Sequence, residues 1–195
     1  MIYVIASVFI CYTAVGIQAG NLSPQIWSAL FWIILMFSSF GIVGKSFMGE
    51  KKGVLYYYHY LLSPGSLIMA KMIYASLLTL ILSLCGWLIF ITLMGNPVND
   101  TFMFLVCLLL GSSGFGSSLT LISAIALRTG NSGVLMAVLG FPVVLSVLVL
   151  CIRLTKYSID GLGWDAGADE VLALAGISGI SGAVSFLLFP YIWRS

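Results

Sequence analysis

The sequence predicts an all-α, polytopic membrane protein with six transmembrane helices and both termini in the cytoplasm. Of its 195 residues, 61 % are hydrophobic and only 7 % are charged, whereas about a quarter of the residues in a soluble domain carry a charge. The apolar residues form six runs, each close to the roughly 20 residues that a helix needs to cross a bilayer. This composition excludes a soluble enzyme, a disordered tail and a nucleic-acid-binding protein.

Charged residues and Gly, Pro or Asn clusters separate the predicted spans. The first run lacks a basic region before it, so we interpret it as a retained span rather than a cleaved signal peptide. A loop at 153–170 is expected to precede the last span. The six spans leave no room for a soluble domain, so residues 1–195 are predicted to form a single transmembrane domain. The predicted spans are about 2–19, 26–44, 67–94, 101–127, 134–152 and 171–193.

The basic residues predict the orientation of the chain. Six spans place both termini on one side, together with the second–third and fourth–fifth loops. Six basic residues fall on that side and two, Arg153 and Lys156, on the other. An excess of Lys and Arg marks the cytoplasmic side, so the termini are expected there. The six are Lys45, Lys51, Lys52, Lys71, Arg128 and Arg194.

Charge is absent from the middle of every predicted span. Ion-coupled transporters usually carry a charged residue there, because it marks the ion path. We therefore expect a protein whose driving force comes from a partner. The sequence also lacks the P-loop, HExxH and GxSxG patterns, and its four cysteines show no metal-binding spacing. Catalytic residues and a metal site are not expected.

The polar and aromatic segment 45–66 lies on the predicted cytoplasmic side and contains four tyrosines. One interpretation is an interfacial segment with tyrosines at headgroup depth. The other is a docking surface for a cytosolic subunit, and the two are compatible if each uses one face. His59, the single histidine, lies in this segment. Since one His defines no haem site, we expect packing or hydrogen bonding, with haem ligation as the alternative.

Small residues recur in the fourth and sixth spans at spacings that allow close helix approach. Ordinary packing within one subunit and an interface that opens and closes are both consistent with this pattern. Pro142, inside the fifth span, is expected to kink it. The glycines predicted to pack between helices are Gly111, Gly114, Gly116, Gly179 and Gly182.

The order of several short motifs resembles the membrane subunits of ABC-2 type exporters, and within them the CcmB family of cytochrome c maturation. The segment 45–66 carries the E-x-x-G-x-L…L-x-P pattern, followed by Ala70 and Lys71. The resemblance covers nearly the whole chain. The matching stretches are Phe47, Glu50, Gly53, Leu55, Leu62-Ser63-Pro64, 30–35 with Ser38 and Ser39, 108–111, 128–135, 141–144 and 187–195.

The resemblance implies a permease subunit without ATPase activity of its own, used in haem export or in ATP-driven release of a haem-loaded chaperone. It implies two copies per complex, a CcmA-like ATPase, CcmC- and CcmD-like membrane subunits, and the haem chaperone CcmE as client. Haem would be a handled ligand rather than a resident cofactor, and the remaining ligands would be membrane lipids. The residues predicted to shape the contact with the ATPase are Glu50, Lys51, Lys52, Gly53, Leu55 and Pro64.

Family members usually begin with a basic amphipathic stretch, whereas here Met1 opens the first span directly. We expect either that the coding sequence continues upstream or that this stretch is absent. Two other functions are consistent with six spans and a cytoplasmic loop. One is an ABC-2 permease for a lipid, polysaccharide or drug, and the other is a membrane scaffold without transport.

Overall fold

A computed structural model describes residues 2–16, 23–43, 63–126 and 132–194. These residues form helices without any strand, which confirms the all-α prediction. In water, short apolar segments without caps form helices of marginal stability. In a bilayer they are helical because every backbone N–H and C=O group must be hydrogen-bonded within the protein. The helices are α1 (Ile2–Gly16), α2 (Pro24–Val43), α3 (Pro64–Met94), α4 (Thr101–Ala126), α5 (Ser132–Asp160) and α6 (Trp164–Arg194).

Five of these helices, α2 to α6, are long and apolar enough to cross a membrane. The apolar part of α1 described by the structure, Tyr3–Thr13, is shorter. Each helix coincides with one of the apolar runs predicted from the sequence. The polytopic membrane architecture is thereby confirmed.

The expected loop at 153–170 is instead almost entirely helical. Helix α5 continues to Asp160, and α6 already begins at Trp164. Charged residues end a membrane span, but they do not end a helix, because the backbone bonds continue unchanged beyond the bilayer. The chain reverses only at the turn 161–163, where Gly161 and Gly163 have φ angles of 66° and 76°. This left-handed conformation is one that glycine adopts without a steric penalty.

Helix α4 lies at the centre of the bundle and contacts α2, α3, α5 and α6. In its most apolar stretch 67 % of the residues are buried, against 11 % in that of α6. Helix α1 lies at the side, against α2 and α3. The fold therefore has a central helix, α4, and a peripheral one, α6, that run in the same direction beside each other.

The two ends of the bundle differ in charge. We call the end that carries Asp100, Asp160, Asp165, Asp169 and Glu170 the acidic end, and the opposite end, where α3 begins and α4 ends, the basic end.

Hydrogen bonds tie the α3–α4 loop to the last turn of α5 at the acidic end. The Asp100 N–H donates to the Ser158 carbonyl over 3.0 Å, and the Ser158 hydroxyl donates to the Asp100 carbonyl over 2.6 Å. The Asp100 carboxylate also accepts from the Met103 N–H over 3.1 Å and so caps α4. These bonds fix α4 and α5 to each other at this end.

Candidate functional site

The residues predicted to contact an ATPase lie mostly outside the described part of the chain. This holds for Glu50, Lys51, Lys52, Gly53 and Leu55, and also for His59.

Pro64 is described, and it is the first residue of α3. The Ser63 side chain caps the helix by accepting from the Ser66 N–H over 3.3 Å. Proline suits the first helical position because its missing N–H would have no intrahelical partner there. The last three residues of segment 45–66 therefore form the first turn of a capped, membrane-spanning helix.

At Gly116, helix α4 lies directly against the backbone of α3. A Cβ placed at Gly116 would lie 2.7 Å from the backbone nitrogen of Ser76 and 2.8 Å from its Cα. Backbone atoms cannot move aside as a side-chain end can, so any residue larger than glycine forces the two helices apart. The α3–α4 crossing is therefore rigid.

Gly111 packs against a buried contact between α2, α4 and α5 that we call the clamp (Trp32, Cys107, Gly111, Cys151 and Thr155). A Cβ at Gly111 would lie 2.8 Å from the Trp32 ring and 2.8 Å from the Cys151 sulfur. The Trp32 indole N–H donates to the Thr155 hydroxyl over 2.8 Å, between residues that are 1 % and 0 % exposed. An indole N–H cannot reach the backbone of its own helix, so this bond would be lost without replacement if α2 and α5 separated.

Helices α4 and α6 meet along serine hydroxyls, which we call the seam (Gly114, and the pairs Ser113–Ser178 and Ser118–Ser181). The hydroxyl oxygens are 3.3 Å apart in the first pair and 3.1 Å apart in the second. Gly114 allows the close approach, because a Cβ there would lie 3.2 Å from the Ser178 hydroxyl.

The hydroxyls of the first seam pair also have acceptors on their own helices. Ser113 donates to the Leu110 carbonyl over 2.8 Å, and Ser178 to the Leu174 carbonyl over 2.8 Å. A helical serine can bond the carbonyl three or four residues before it. The first seam pair can therefore part without leaving either hydroxyl without an acceptor.

The glycines of α6 differ from one another in their surroundings. A Cβ at Gly182 would lie 3.3 Å from the Met72 methyl group of α3, whereas at Gly179 and Gly176 nothing lies within 4 Å. The face that carries Gly176 and Gly179 therefore points away from the other described helices. Pro142 is an exposed residue inside α5, and the Ser146 hydroxyl donates to its carbonyl over 3.1 Å.

At the basic end, α6 contacts the start of α3. A Cβ at Gly65 would lie 2.9 Å from Cε2 of the Phe186 ring. Nearby is a small basic-end cluster (Leu67, Ile68, Met72, Ala124 and Phe189), which is separate from the main core. The first turn of α3, which is formed by the end of segment 45–66, thus contacts α6.

An aromatic cluster fills the half of the bundle near the acidic end, between α2, α3 and α4. The rings of Trp27 and Phe31 are stacked, and the other rings lie edge to face or tilted. The Phe31 and Phe90 centroids are 5.3 Å apart, as are those of Trp87 and Phe104. The buried indole N–H groups of Trp27 and Trp87 have no acceptor among the described residues. Sequence reasoning missed this cluster and the clamp, because aromatic residues are spread over all of these apolar runs.

The described residues hold no group of three or more His, Cys, Asp or Glu side chains that could bind a metal ion. In the clamp, the Cys107 thiol donates to the Cys151 carbonyl oxygen over 3.5 Å. The candidate site therefore consists of contacts between helices. The clamp and the Gly116–Ser76 crossing are rigid, whereas the first seam pair can part.

Comparison with known proteins gives one match. The family model described as CcmB protein matches residues 1–190 of this chain. We find no significant match among curated proteins or among solved structures.

Proposed function

The chain belongs to the CcmB family, and on that premise we propose that it is the permease subunit of an ABC transporter complex for cytochrome c maturation. The match over 190 of 195 residues carries this proposal. The bundle of membrane-spanning helices is consistent with it. The subunit would lie in the inner membrane of a bacterium with its basic end in the cytoplasm, as the distribution of Lys and Arg favours.

We propose that a CcmA-like ATPase supplies the driving force through segment 45–66. Glu50, Lys51, Lys52, Gly53 and Leu55 would form the contact, and Pro64 would begin the helix that carries the movement into the membrane. The capped start of α3 supports this role, since a helix fixed at its first turn moves as a rigid element. The partners would also include CcmC-, CcmD- and CcmE-like proteins, with two copies of this subunit in each complex.

In this proposal haem is a ligand that the complex transports or passes on, rather than a cofactor that stays bound to this subunit. We propose that the complex releases a haem-loaded chaperone, with haem export as the alternative. The central helix supports this choice, because Gly111 and Gly116 hold it directly against Trp32 and the backbone of Ser76. Passage of haem through a single subunit would require these contacts to part.

Co-purification with the ATPase subunit tests the coupling role. The Glu50→Ala/Gly53→Ala double variant is expected to lose ATPase association or ATP turnover. The matched control is Gly41→Ala, because nothing lies within 4 Å of a Cβ at Gly41. Unchanged association and unchanged turnover in the double variant would refute the coupling role of segment 45–66.

The rival functions give different results in a deletion strain. A permease for a lipid, polysaccharide or drug, or a scaffold without transport, predicts normal assembly of c-type cytochromes after deletion of the gene. The proposed function predicts that covalent attachment of haem is lost.

A further inference from the structure

Helix α6 is held firmly near the acidic end. Gly167 packs against the side chains of Met103 and Leu154, so α6 lies directly on α4 and α5 there. The Tyr157 hydroxyl donates to the Glu170 carboxylate over 3.3 Å, and Leu174 is fully buried in the main core. The turn 161–163 is short, and it joins α6 to the end of α5 that Ser158 fixes to the α3–α4 loop.

The other half of α6 is held less firmly, because none of its described residues beyond Ile177 belongs to the main core. Its hydroxyls meet α4 across the seam, where Ser113 and Ser178 also have acceptors on their own helices. Its contacts with α3 include the Met72 methyl group against Gly182 and the Phe186 ring against Gly65. Phe189 is buried with Leu67 and Ile68 of α3 in the small basic-end cluster, which is separate from the main core.

We propose that α6 is the moving helix of this subunit: it pivots on its acidic end, and its other half swings away from α4 when α3 pushes on Phe186. This inference rests on the proposed function, because the push originates in the ATPase contact of segment 45–66. Helices α2, α3, α4 and α5 stay together, since the clamp and the Gly116–Ser76 crossing cannot open without stranding a donor or separating backbones.

Gly65 is the residue that makes this transmission direct. It is the second residue of α3 and lies among the last three residues, 64–66, of the predicted coupling segment. The Phe186 ring lies against its backbone with no side chain between them. A displacement of the first turn of α3 must therefore move Phe186 or break the contact.

Site-specific crosslinking of the intact complex in native membranes tests the pivot. Two cysteine pairs join the same two helices at different heights. The Ser118→Cys/Ser181→Cys pair lies in the seam, where the native oxygens are 3.1 Å apart. The Phe102→Cys/Trp164→Cys pair lies at the acidic end, where the native ring centroids are 5.5 Å apart. A short bis-methanethiosulfonate reagent crosslinks each pair, and mass spectrometry of the peptides distinguishes the engineered cysteines from the native ones.

Trapping the ATPase with ATP and vanadate is expected to slow crosslinking of the seam pair by about threefold or more. The reason is that the state in which α6 lies against α4 loses population. Crosslinking of the acidic-end pair should stay unchanged. A complex that hydrolyses ATP but leaves both pairs unchanged, or changes both equally, overturns the pivot while the proposed function stands. A subunit that purifies without any ATPase overturns both.

The Phe186→Ala variant tests the transmission. It is expected to make the crosslinking rate of the seam pair independent of nucleotide, while the acidic-end pair still crosslinks as in the parent. Phe186→Leu keeps an apolar side chain against Gly65 and should retain part of the nucleotide effect. A full nucleotide effect in Phe186→Ala would show that α3 does not act through this ring.

Discussion

Helices α4 and α6 have similar sequences, but α4 lies at the centre of the bundle and α6 at its periphery. Both are apolar, both contain several glycines and serines, and they run in parallel beside each other. In α4 the glycines lie against a tryptophan ring and against the backbone of a neighbouring helix. In α6 two of the glycines face open space, and only 11 % of its apolar stretch is buried. Small residues thus permit close packing without requiring it.

The difference suggests a division of labour between a fixed block and a movable helix. Around α4, contacts involve backbone atoms or a donor with a single acceptor. Along α6, the contacts involve the ends of flexible side chains and the seam hydroxyls, of which Ser113 and Ser178 also have an acceptor on their own helix. The following substitutions test this division, in order of decreasing expected effect.

The Gly116→Ala variant should be the most destabilising. The added methyl group meets the backbone of Ser76, and overpacking that cannot be relieved by a rotamer change costs about 3 kcal/mol. The measurement is thermal unfolding of the purified subunit in detergent, with the yield in membranes as a second readout. A melting temperature equal to that of the parent would show that the α3–α4 crossing is not rigid.

The Thr155→Val variant should come next. It removes the acceptor of the Trp32 indole N–H and leaves that donor buried, at a cost of about 1–3 kcal/mol. The Trp32→Phe/Thr155→Val double variant has no stranded donor, so it should lose less than the sum of the two single changes. Additive losses in this thermodynamic cycle would contradict the clamp.

The Ser118→Ala and Ser181→Ala variants should have a smaller effect. Hydrogen bonds between membrane helices contribute about 0.6 kcal/mol on average, and the remaining serine can bond its own helix. Thermal unfolding of both single variants and the double variant measures the coupling. A loss as large as that of Thr155→Val would mean that the seam is as fixed as the clamp.

The Gly179→Ala variant should have the smallest effect on the subunit, within about 0.5 kcal/mol, because alanine favours the helix and meets no neighbour. This position also separates two meanings of the small-residue pattern. Unchanged stability with lost activity in the complex would show that this face contacts a partner subunit rather than another helix of the same chain.

The sequence was sufficient for the fold class and for the places where the chain enters and leaves the bundle. Six apolar runs predicted six helices. The third span was predicted from about residue 67, whereas α3 already begins at Pro64, because the Ser63 cap and the proline start the helix before its apolar run. Local signals failed at 153–170, where charges mark the membrane surface but leave the helix intact.

The contacts of the site could not be predicted in the same way. In a soluble protein the polar face of a helix identifies its buried face, but lipid is as apolar as a protein core, so both faces of these helices look alike. Gly116 and Gly179 are equivalent by composition and spacing, and only the arrangement in space distinguishes the helix crossing from the open face. The pairing of Trp32 with Thr155 joins residues 123 positions apart, for which a single sequence contains no signal.

Covalent haem in c-type cytochromes is the most direct measure of the central claim, that this CcmB-family chain is the partner-driven membrane subunit of a cytochrome c maturation complex. In a strain that lacks its own such subunit, we expect the full chain to restore haem-stained c-type cytochromes, and the Glu50→Ala/Gly53→Ala variant, present in membranes at equal level, to fail. Normal cytochromes in the strain without any such subunit, or equal restoration by the chain and the double variant, would contradict the claim.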